Sequence, residues 1–306
     1  MSNQTAPLVP PSQIAKDSLR AWLLATRPAT LTVGVIPVLV GTAVAHSMGA
    51  MRPLAALAAL LGAICIQIGT NLANDVFDFE KGADTAERLG PLRVTQAGLI
   101  APQRVRLGMY VSFALATVMG VYLTWVAGPV IVLIGGLSIA SGVAYTGGPF
   151  PLGYNGLGDL FVLIFFGLVA VCGTVFVQAG QLSLLAYLAA LPVGAIATAV
   201  LVVNNLRDGP TDVKAGKRTL VVRFGRGFGV AEYLLLLGVA YAVPCYLAGA
   251  GLCGRFVLLP LLTMPLAIPL GRSIVRDHGA VLNGTLAATA RLLLLFGTLF
   301  AIGIVL

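Results

Sequence analysis

Residues 160–206 read LFVLIFFGLVAVCGTVFVQAGQLSLLAYLAALPVGAIATAVLVVNNL, an apolar stretch without one charged side chain that ends directly at Arg207-Asp208. A helix of ~20 apolar residues crosses the hydrocarbon core of a bilayer, so this stretch predicts two membrane helices with a break near residues 178–181. The whole chain of 306 residues is 58% hydrophobic and 10% charged. That composition lies outside the range of water-soluble domains. The sequence therefore predicts an all-α integral membrane protein.

Further membrane helices follow from the gaps between charged residues. Residues 107–158 are also uncharged and predict two helices that break near residues 125–128. Five more spans are predicted over residues 28–51, 53–74, 233–254, 256–271 and 279–306. The nine helices together predict one polytopic bundle over residues 21–306, preceded by a polar tail over residues 1–20.

The basic residues predict the orientation of this bundle. With the N-terminus on the inner side, every Lys and Arg lies in an inner segment except Arg52, Arg255 and Arg291. Lys and Arg collect in the cytoplasmic loops of membrane proteins, so we predict a multi-pass protein of the cell (inner) membrane with a cytoplasmic N-terminus. The net charge of +8 is that of a basic face against anionic lipid headgroups. Nothing in the sequence supports a nucleic-acid partner.

Acidic residues concentrate in two of the same inner segments, each at the end of a predicted helix. The first reads Asn71-Leu-Ala-Asn74-Asp75-Val-Phe-Asp78, and the second reads Asn204-Asn205-Leu-Arg207-Asp208-Gly-Pro-Thr-Asp212. At helical pitch, Asn71, Asp75 and Asp78 share one face. Asn204, Asp208 and Asp212 also share a face if the helix continues through Gly209-Pro210. The second span and the sixth thus carry related Asn-x-x-x-Asp elements, which resemble an internal repeat.

The chemistry of these two segments suits a divalent cation and a phosphate group. Mg²⁺ takes carboxylate and amide oxygens, keeps several waters and completes its shell with substrate phosphates. Basic side chains for the remaining phosphate oxygens are close in sequence: Lys81, Arg93, Arg207, Lys217 and Arg218. The pattern predicts two magnesium ions that bridge a diphosphate, where metal ions and cations stabilise a departing diphosphate.

Two other interpretations remain open at this stage. Acidic residues at a helix end also mark where a span meets water, so each segment alone has a structural explanation. An ion-coupled transporter would also have repeated halves and intramembrane acids. The matched spacing of the two segments, and their position at one membrane face, favour a diphosphate site over both.

The two acidic segments resemble the aspartate-rich motifs of the UbiA superfamily of intramembrane aromatic prenyltransferases, and the resemblance runs from about residue 20 to the C-terminus. Five segments resemble the menaquinone branch, whose acceptor is 1,4-dihydroxy-2-naphthoate: residues 26–31, 90–96, 145–149, 204–219 and 289–291. The first motif departs from the usual Asp-x-x-x-Asp pattern because only two residues separate Asp75 from Asp78. This departure leaves open whether Asp84 is a ligand.

The resemblance implies a nine-helix bundle whose cavity opens to lipid, and a magnesium-dependent transfer from polyprenyl diphosphate to the acceptor ring, with loss of carbon dioxide, to give demethylmenaquinone. The acceptors 4-hydroxybenzoate and homogentisate stay open as alternatives. The implied metal ligands are Asn71, Asp75, Asp78, Asn204, Asp208 and Asp212. The implied catalytic residues are Asp75, Asp208 and Tyr145, and the implied substrate ligands are Arg27, Lys81, Arg93, Arg207 and Lys217.

Three of the candidate residues have two interpretations each. Arg27 either receives the carboxylate of the aromatic acceptor or extends to lipid headgroups. Tyr145 either contacts the diphosphate and the allylic cation or anchors the chain at the membrane interface. Arg291 lies within the last predicted span, where a charge must be paired or face a cavity. We predict that it ties two helices together.

Overall fold

The computed structural model describes residues 14–83 and 89–306. Within them, one short helix, α1, precedes nine apolar helices. The helices are α1 Leu19–Thr26, α2 Pro28–Ser47, α3 Pro53–Glu80, α4 Pro102–Ala127, α5 Val130–Ala144, α6 Gly158–Ala179, α7 Leu184–Lys214, α8 Leu220–Gly249, α9 Arg255–Arg276 and α10 Gly279–Val305. Eight of them are long and apolar enough to cross a membrane, and α5 is a shorter apolar helix. The prediction of an all-α bundle with nine membrane helices is confirmed. Whether residues 1–20 form a separate tail stays a prediction, because residues 1–13 lie outside the described part.

Local sequence signals explain where several helices begin and end. α2, α3 and α4 each have Pro in the first turn, where the missing N–H costs nothing. The side chains of Ser183 and Thr219 accept hydrogen bonds from the first turns of α7 and α8. The predicted breaks within the two long uncharged stretches are confirmed, because α4 ends at Ala127 and α6 ends at Ala179.

Two helices continue beyond the boundaries predicted from charge. α3 runs to Glu80 instead of residue 74, and α7 continues through Gly209-Pro210 to Lys214 instead of ending at residue 206. With 28 residues, α3 is about 42 Å long, whereas the hydrocarbon core of a bilayer is about 30 Å thick. The charged last turns therefore extend past the apolar layer, where charge does not prevent a helix. We call the end of the bundle formed by these turns the acidic end.

The start of α8, at the glycine-rich segment 225–229, also differs from the boundary predicted from the sequence. The sequence predicts a loop there and a span over residues 233–254, but α8 already begins at Leu220. Gly225 has φ 82° and ψ 171°, a non-helical conformation that divides α8 at a kink into a short first part and a longer second part. A positive φ of this kind suits glycine because it has no Cβ. The charged side chains before residue 233 therefore lie on the helix.

α7 is the central helix of the bundle. Of its apolar stretch 78% is buried, against 22% for α3 and for α4. It packs against α2, α6, α8 and α10, while α3, α4 and α5 pack against one another. Small residues make these close contacts possible, as is common for membrane helices. A Cβ on Gly194 of α7 would lie 2.9 Å from the Gly167 Cα and from the Leu163 carbonyl oxygen of α6.

We predict that Gly194→Ala lowers the Tm of the protein in detergent by several degrees. The added Cβ has no space between α6 and α7, and overpacking of this kind costs about 1–3 kcal/mol. The matched control is Gly238→Ala in α8, where an added Cβ meets no atom within 4 Å. Alanine should leave Tm unchanged or raise it there, since it favours the helix. Equal shifts for both variants would contradict the close contact.

Candidate active site

A cavity of about 1020 Å³ lies among α2 to α7 and reaches the acidic end. Its lining follows one face of α3 from Ala59 to Asp78, which is roughly 28 Å along the helix axis. The deeper wall is apolar, and it includes the stacked rings of Phe161 and Phe165, whose centroids are 5.9 Å apart. Phe165 belongs to a π-helical part of α6, Leu163–Val169. Such segments are frequent at functional sites.

The carboxylates of the first motif face in different directions. Asp78 lines the cavity, and its two oxygens accept hydrogen bonds from Arg93 Nη2 at 2.8 Å and from the Tyr154 hydroxyl at 2.7 Å. Asp75 is not among the lining residues. Its oxygens instead accept the backbone N–H groups of Val94 at 3.2 Å and Thr95 at 3.0 Å. Asp75 therefore holds the segment that carries Arg93.

The amides of the first motif are also divided. Asn71 lines the cavity, and its Nδ2 donates to the Thr26 carbonyl oxygen at 2.9 Å and to Thr30 Oγ1 at 3.1 Å. Asn74, which the sequence analysis missed as a candidate, also lines the cavity. A signal for it exists in the sequence, because Asn74 and Asp78 form an Asn-x-x-x-Asp element shifted by three residues from the element Asn71-x-x-x-Asp75.

The second motif is organised around a buried arginine. Arg207 has no exposed surface and forms two hydrogen bonds with Asp208, at 2.8 Å and 2.6 Å. Its Nη2 also donates to Asn204 Oδ1 at 2.7 Å, and its Nη1 donates to Asn283 Oδ1 of α10 at 2.9 Å. A charge buried in a membrane protein must be paired in this way. Arg207 thus fixes Asn204 and Asp208 at the cavity wall, which all three residues line.

Lys217 connects the two motifs. Its Nζ lies 3.8 Å from Asp78 Oδ2 on α3 and 3.8 Å from Asp212 Oδ1 on α7. Lys217, Asp78 and Asp212 all line the cavity. The two acidic segments therefore face each other across the cavity, and the Lys217 ammonium group lies within 3.8 Å of a carboxylate from each.

Tyr154 is a second residue that the sequence analysis missed. Besides its hydrogen bond to Asp78, its ring contacts two ammonium groups, with Lys81 Nζ 5.0 Å and Lys217 Nζ 4.8 Å from the centroid. Lys81 does not line the cavity and donates to the Thr146 carbonyl oxygen at 2.5 Å. The pKa of Lys81 is lowered by burial, and the nearby Asp78 offsets this effect only in part. No sequence pattern predicts that a single tyrosine between α5 and α6 belongs to the site.

Tyr145 lines the cavity from the end of α5. Burial raises its pKa, and the negative charges of Asp159, Asp78 and Asp212 raise it further. A phenol is protonated at neutral pH even without this shift, so Tyr145 can donate a hydrogen bond.

The remaining predicted residues occupy different positions. Arg27 lines the cavity at the junction of α1 and α2, and Arg93 lines it from the loop after α3. Asp84 lies outside the described residues. Arg291 is exposed on the outer surface of α10, and no ion pair or hydrogen bond joins it to any residue that the structure describes. The prediction that it ties two helices is wrong for the described residues, because the side chain is exposed and no described helix supplies it with a partner.

The donor set of the cavity fits a hard cation that also binds a substrate. Within residues 14–83 and 89–306, no group of three His, Cys, Asp or Glu side chains could hold a metal ion by itself. Amide oxygens, water and phosphate oxygens would have to complete the shell, which is how Mg²⁺ is usually bound together with phosphorylated substrates. The acidic end supplies these amides and carboxylates from two facing helices.

The fold and the site define a membrane-embedded enzyme class with an apolar cavity that ends in carboxylates and cations. The chain belongs to the UbiA prenyltransferase family, whose model matches residues 34–296. The resemblance seen in the motifs is thereby confirmed. Membership of this family rejects the alternative that the chain is an ion-coupled transporter.

Curated relatives and solved structures agree with this membership. The 1,4-dihydroxy-2-naphthoate octaprenyltransferase of Escherichia coli (strain K12) is 38% identical and covers 93% of this chain and 95% of its own length. The enzyme of that name from Mycobacterium tuberculosis is 38% identical, with 82% and 85% coverage. The structure of a UbiA homolog from Archaeoglobus fulgidus bound to DMAPP and Mg²⁺ has a TM-score of 0.63 and 13% identity, covering 93% of this chain and 99% of that one.

We predict that Asp75→Asn destabilises the protein and loosens the loop after α3. An amide keeps one acceptor oxygen for the Val94 and Thr95 N–H groups and turns a donor toward the other. Loss of a buried hydrogen bond to a charged group costs about 1.5–3 kcal/mol. The expected result is a lower Tm in detergent and faster proteolysis within residues 89–101.

The matched control is Asp17→Asn, which changes an exposed ion pair with Arg104 at 2.8 Å. Exposed pairs contribute at most about 1 kcal/mol, so Tm and proteolysis should stay close to the wild type. If Asp75→Asn behaves like this control, the bonds to the loop do not hold it.

Proposed function

We propose that this protein transfers a polyprenyl group from polyprenyl diphosphate to 1,4-dihydroxy-2-naphthoate, with loss of the carboxylate as carbon dioxide and release of diphosphate, and so forms demethylmenaquinol, the hydroquinone form of demethylmenaquinone, in menaquinone biosynthesis. The observation that carries the proposal is 38% identity, along 93% of the chain, to the relative of that activity in Escherichia coli. The cavity supports it, because one end suits a diphosphate and the other suits a long apolar chain.

Magnesium is the proposed cofactor, as two ions at the acidic end. The proposed ligands are Asn74 and Asp78 on α3, and Asn204, Asp208 and Asp212 on α7. Asn74 and Asp78 are one turn apart, roughly 6 Å along the axis, whereas Asn71 and Asp78 are roughly 10 Å apart. With Mg–O distances of about 2.1 Å, one ion binds the closer pair far more readily. The Archaeoglobus fulgidus homolog that was solved with DMAPP and Mg²⁺ supports this choice of cation.

When bound, magnesium neutralises charge on the diphosphate and makes it a better leaving group. The protein supplies further positive charge from Lys217 and Arg93, which already lie beside Asp78. Arg207 acts through Asn204 and Asp208, because all three of its guanidinium nitrogens already donate hydrogen bonds to Asn204, Asp208 and Asn283. Asp75 acts in the same indirect way, since it holds the loop that carries Arg93. Lys81 fixes the loop at Thr146 and adds positive potential near Tyr154.

The reacting carbon of the prenyl donor would lie where the polar end meets the apolar wall. The Tyr145 phenol, which lines the cavity from the end of α5, would donate a hydrogen bond there. The stacked rings of Phe161 and Phe165 offer π-faces that favour a developing allylic cation. The prenyl tail follows the apolar face of α3. The electron-rich acceptor ring attacks the allylic carbon as the bond to diphosphate breaks, and the carboxylate then leaves as carbon dioxide.

Arg27 is the proposed ligand for the carboxylate of the acceptor. It lines the cavity from the junction of α1 and α2, whereas Arg93 and Lys217 line it from loops that follow α3 and α7. A guanidinium binds a carboxylate through two parallel hydrogen bonds. The protein would lie in the cell membrane with the acidic end in the cytoplasm, because the basic residues favour that orientation.

The test is product formation by the purified protein in detergent, with a polyprenyl diphosphate and either 1,4-dihydroxy-2-naphthoate, 4-hydroxybenzoate or homogentisate. We expect prenylation of the naphthoate with magnesium and none with EDTA. Asp78→Asn and Asp208→Asn should each lower kcat by at least about 100-fold, since each removes a carboxylate that would hold the magnesium ions against the departing diphosphate. Asp17→Asn should retain the wild-type rate.

Each outcome separates a different part of the proposal. Turnover of 4-hydroxybenzoate or homogentisate alone would keep the reaction type and reject the naphthoate as the acceptor. Full activity in EDTA would reject the magnesium site. Absence of turnover with all three acceptors, in a protein that is folded and monodisperse, would reject the function.

A further inference from the structure

We propose that Asn71 is a positioning residue for the aromatic acceptor: it clamps the junction of α1 and α2 so that Arg27 is held toward the acceptor carboxylate. The sequence analysis places Asn71 among the metal ligands. This inference rests on the proposed function of Arg27, and it assigns Asn71 to the acceptor instead of the magnesium ions.

The junction between the two helices is a single residue. α1 ends at Thr26, α2 begins at Pro28, and Arg27 lies between them with φ 51° and ψ 70°. This left-handed conformation is uncommon for a residue other than glycine, asparagine or aspartate. Such a conformation persists only where surrounding contacts enforce it, and it is frequent at ligand sites. Arg27 therefore needs an external restraint.

Asn71 supplies the restraint from α3. Its Nδ2 carries two hydrogens and makes two hydrogen bonds, one to the Thr26 carbonyl oxygen at 2.9 Å and one to Thr30 Oγ1 at 3.1 Å. These partners lie on either side of Arg27. The Thr30 hydroxyl in turn donates to the Arg27 carbonyl oxygen at 2.9 Å. The amide thus fixes both sides of the junction. Asn71 is buried, with only 4% of its surface exposed.

The position of Asn71 on α3 agrees with this role. It lies about one turn deeper in the cavity than Asn74 and about two turns deeper than Asp78. The face of α3 therefore carries the diphosphate ligands nearest the acidic end and the clamp for the acceptor side further in. A preorganised guanidinium loses less freedom when a carboxylate binds, so the clamp should improve affinity for the acceptor alone.

The test compares Asn71→Leu and Asn71→Asp with the wild type in the prenylation assay. Neither side chain donates a hydrogen bond at neutral pH, so both should raise the KM for 1,4-dihydroxy-2-naphthoate about tenfold or more. The KM for polyprenyl diphosphate and the magnesium concentration for half-maximal rate should stay within twofold. A metal ligand would behave differently, because Asn71→Asp would then retain or strengthen magnesium dependence while Asn71→Leu would weaken it.

Two further variants make the result decisive. Arg27→Lys should raise the acceptor KM, and the double variant with Asn71→Leu should raise it by less than the product of the single effects, since both act on one contact. Thr30→Val removes one of the two bonds of the clamp and should give the same pattern with a smaller change, even if Asn71→Leu does not fold.

A shift in magnesium dependence with an unchanged acceptor KM would overturn the inference, as would an unchanged acceptor KM in Thr30→Val and Asn71→Asp together. Failure of the proposed function is a separate result, since it would appear as absent naphthoate prenylation in the wild type.

Discussion

The need to neutralise buried carboxylates inside a membrane-embedded bundle governs the acidic end. Asp78 is 1% exposed and Asp208 is 6% exposed, so each must be paired where water cannot solvate it. Different cations meet this need. Arg207 pairs with Asp208 from the same helix, whereas Arg93 and Lys217 reach Asp78 from loops. The ion pairs with Asp78 therefore help to position the loop that carries Arg93 and the loop that carries Lys217.

The same pairing gives the site its capacity for a diphosphate. A cation that neutralises a carboxylate in the free protein would be available to phosphate oxygens if a divalent ion were held by that carboxylate. Lys217 is placed for this exchange, at 3.8 Å from the carboxylates of Asp78 and Asp212.

Sequence periodicity and charge predict the helices well, because apolar length is what the bilayer requires of a span. They predict the inner ends less well. α3 and α7 extend beyond the apolar layer. A charged residue does not by itself end a helix outside that layer. The sequence also does not predict which face of α3 lines the cavity. Asn71 and Asp75 share one face at helical spacing, and Asn74 and Asp78 share another. Only the packing of the loop at Val94 and Thr95 decides that Asp75 turns away from the cavity. Tyr154 reaches Asp78 from a loop, and no periodic pattern predicts such a contact.

The face of α3 offers a physical reason for the order of the reaction partners. Its apolar part suits the prenyl tail, and its last turns suit the diphosphate. Asn71 lies at the transition between the two. The bond that breaks joins the tail to the diphosphate, so it must lie near the same transition. An acceptor held from the α1–α2 junction would approach the chain at that level. Because one rigid helix sets all three positions, the distance between donor and acceptor depends on helical rise and less on loop conformation.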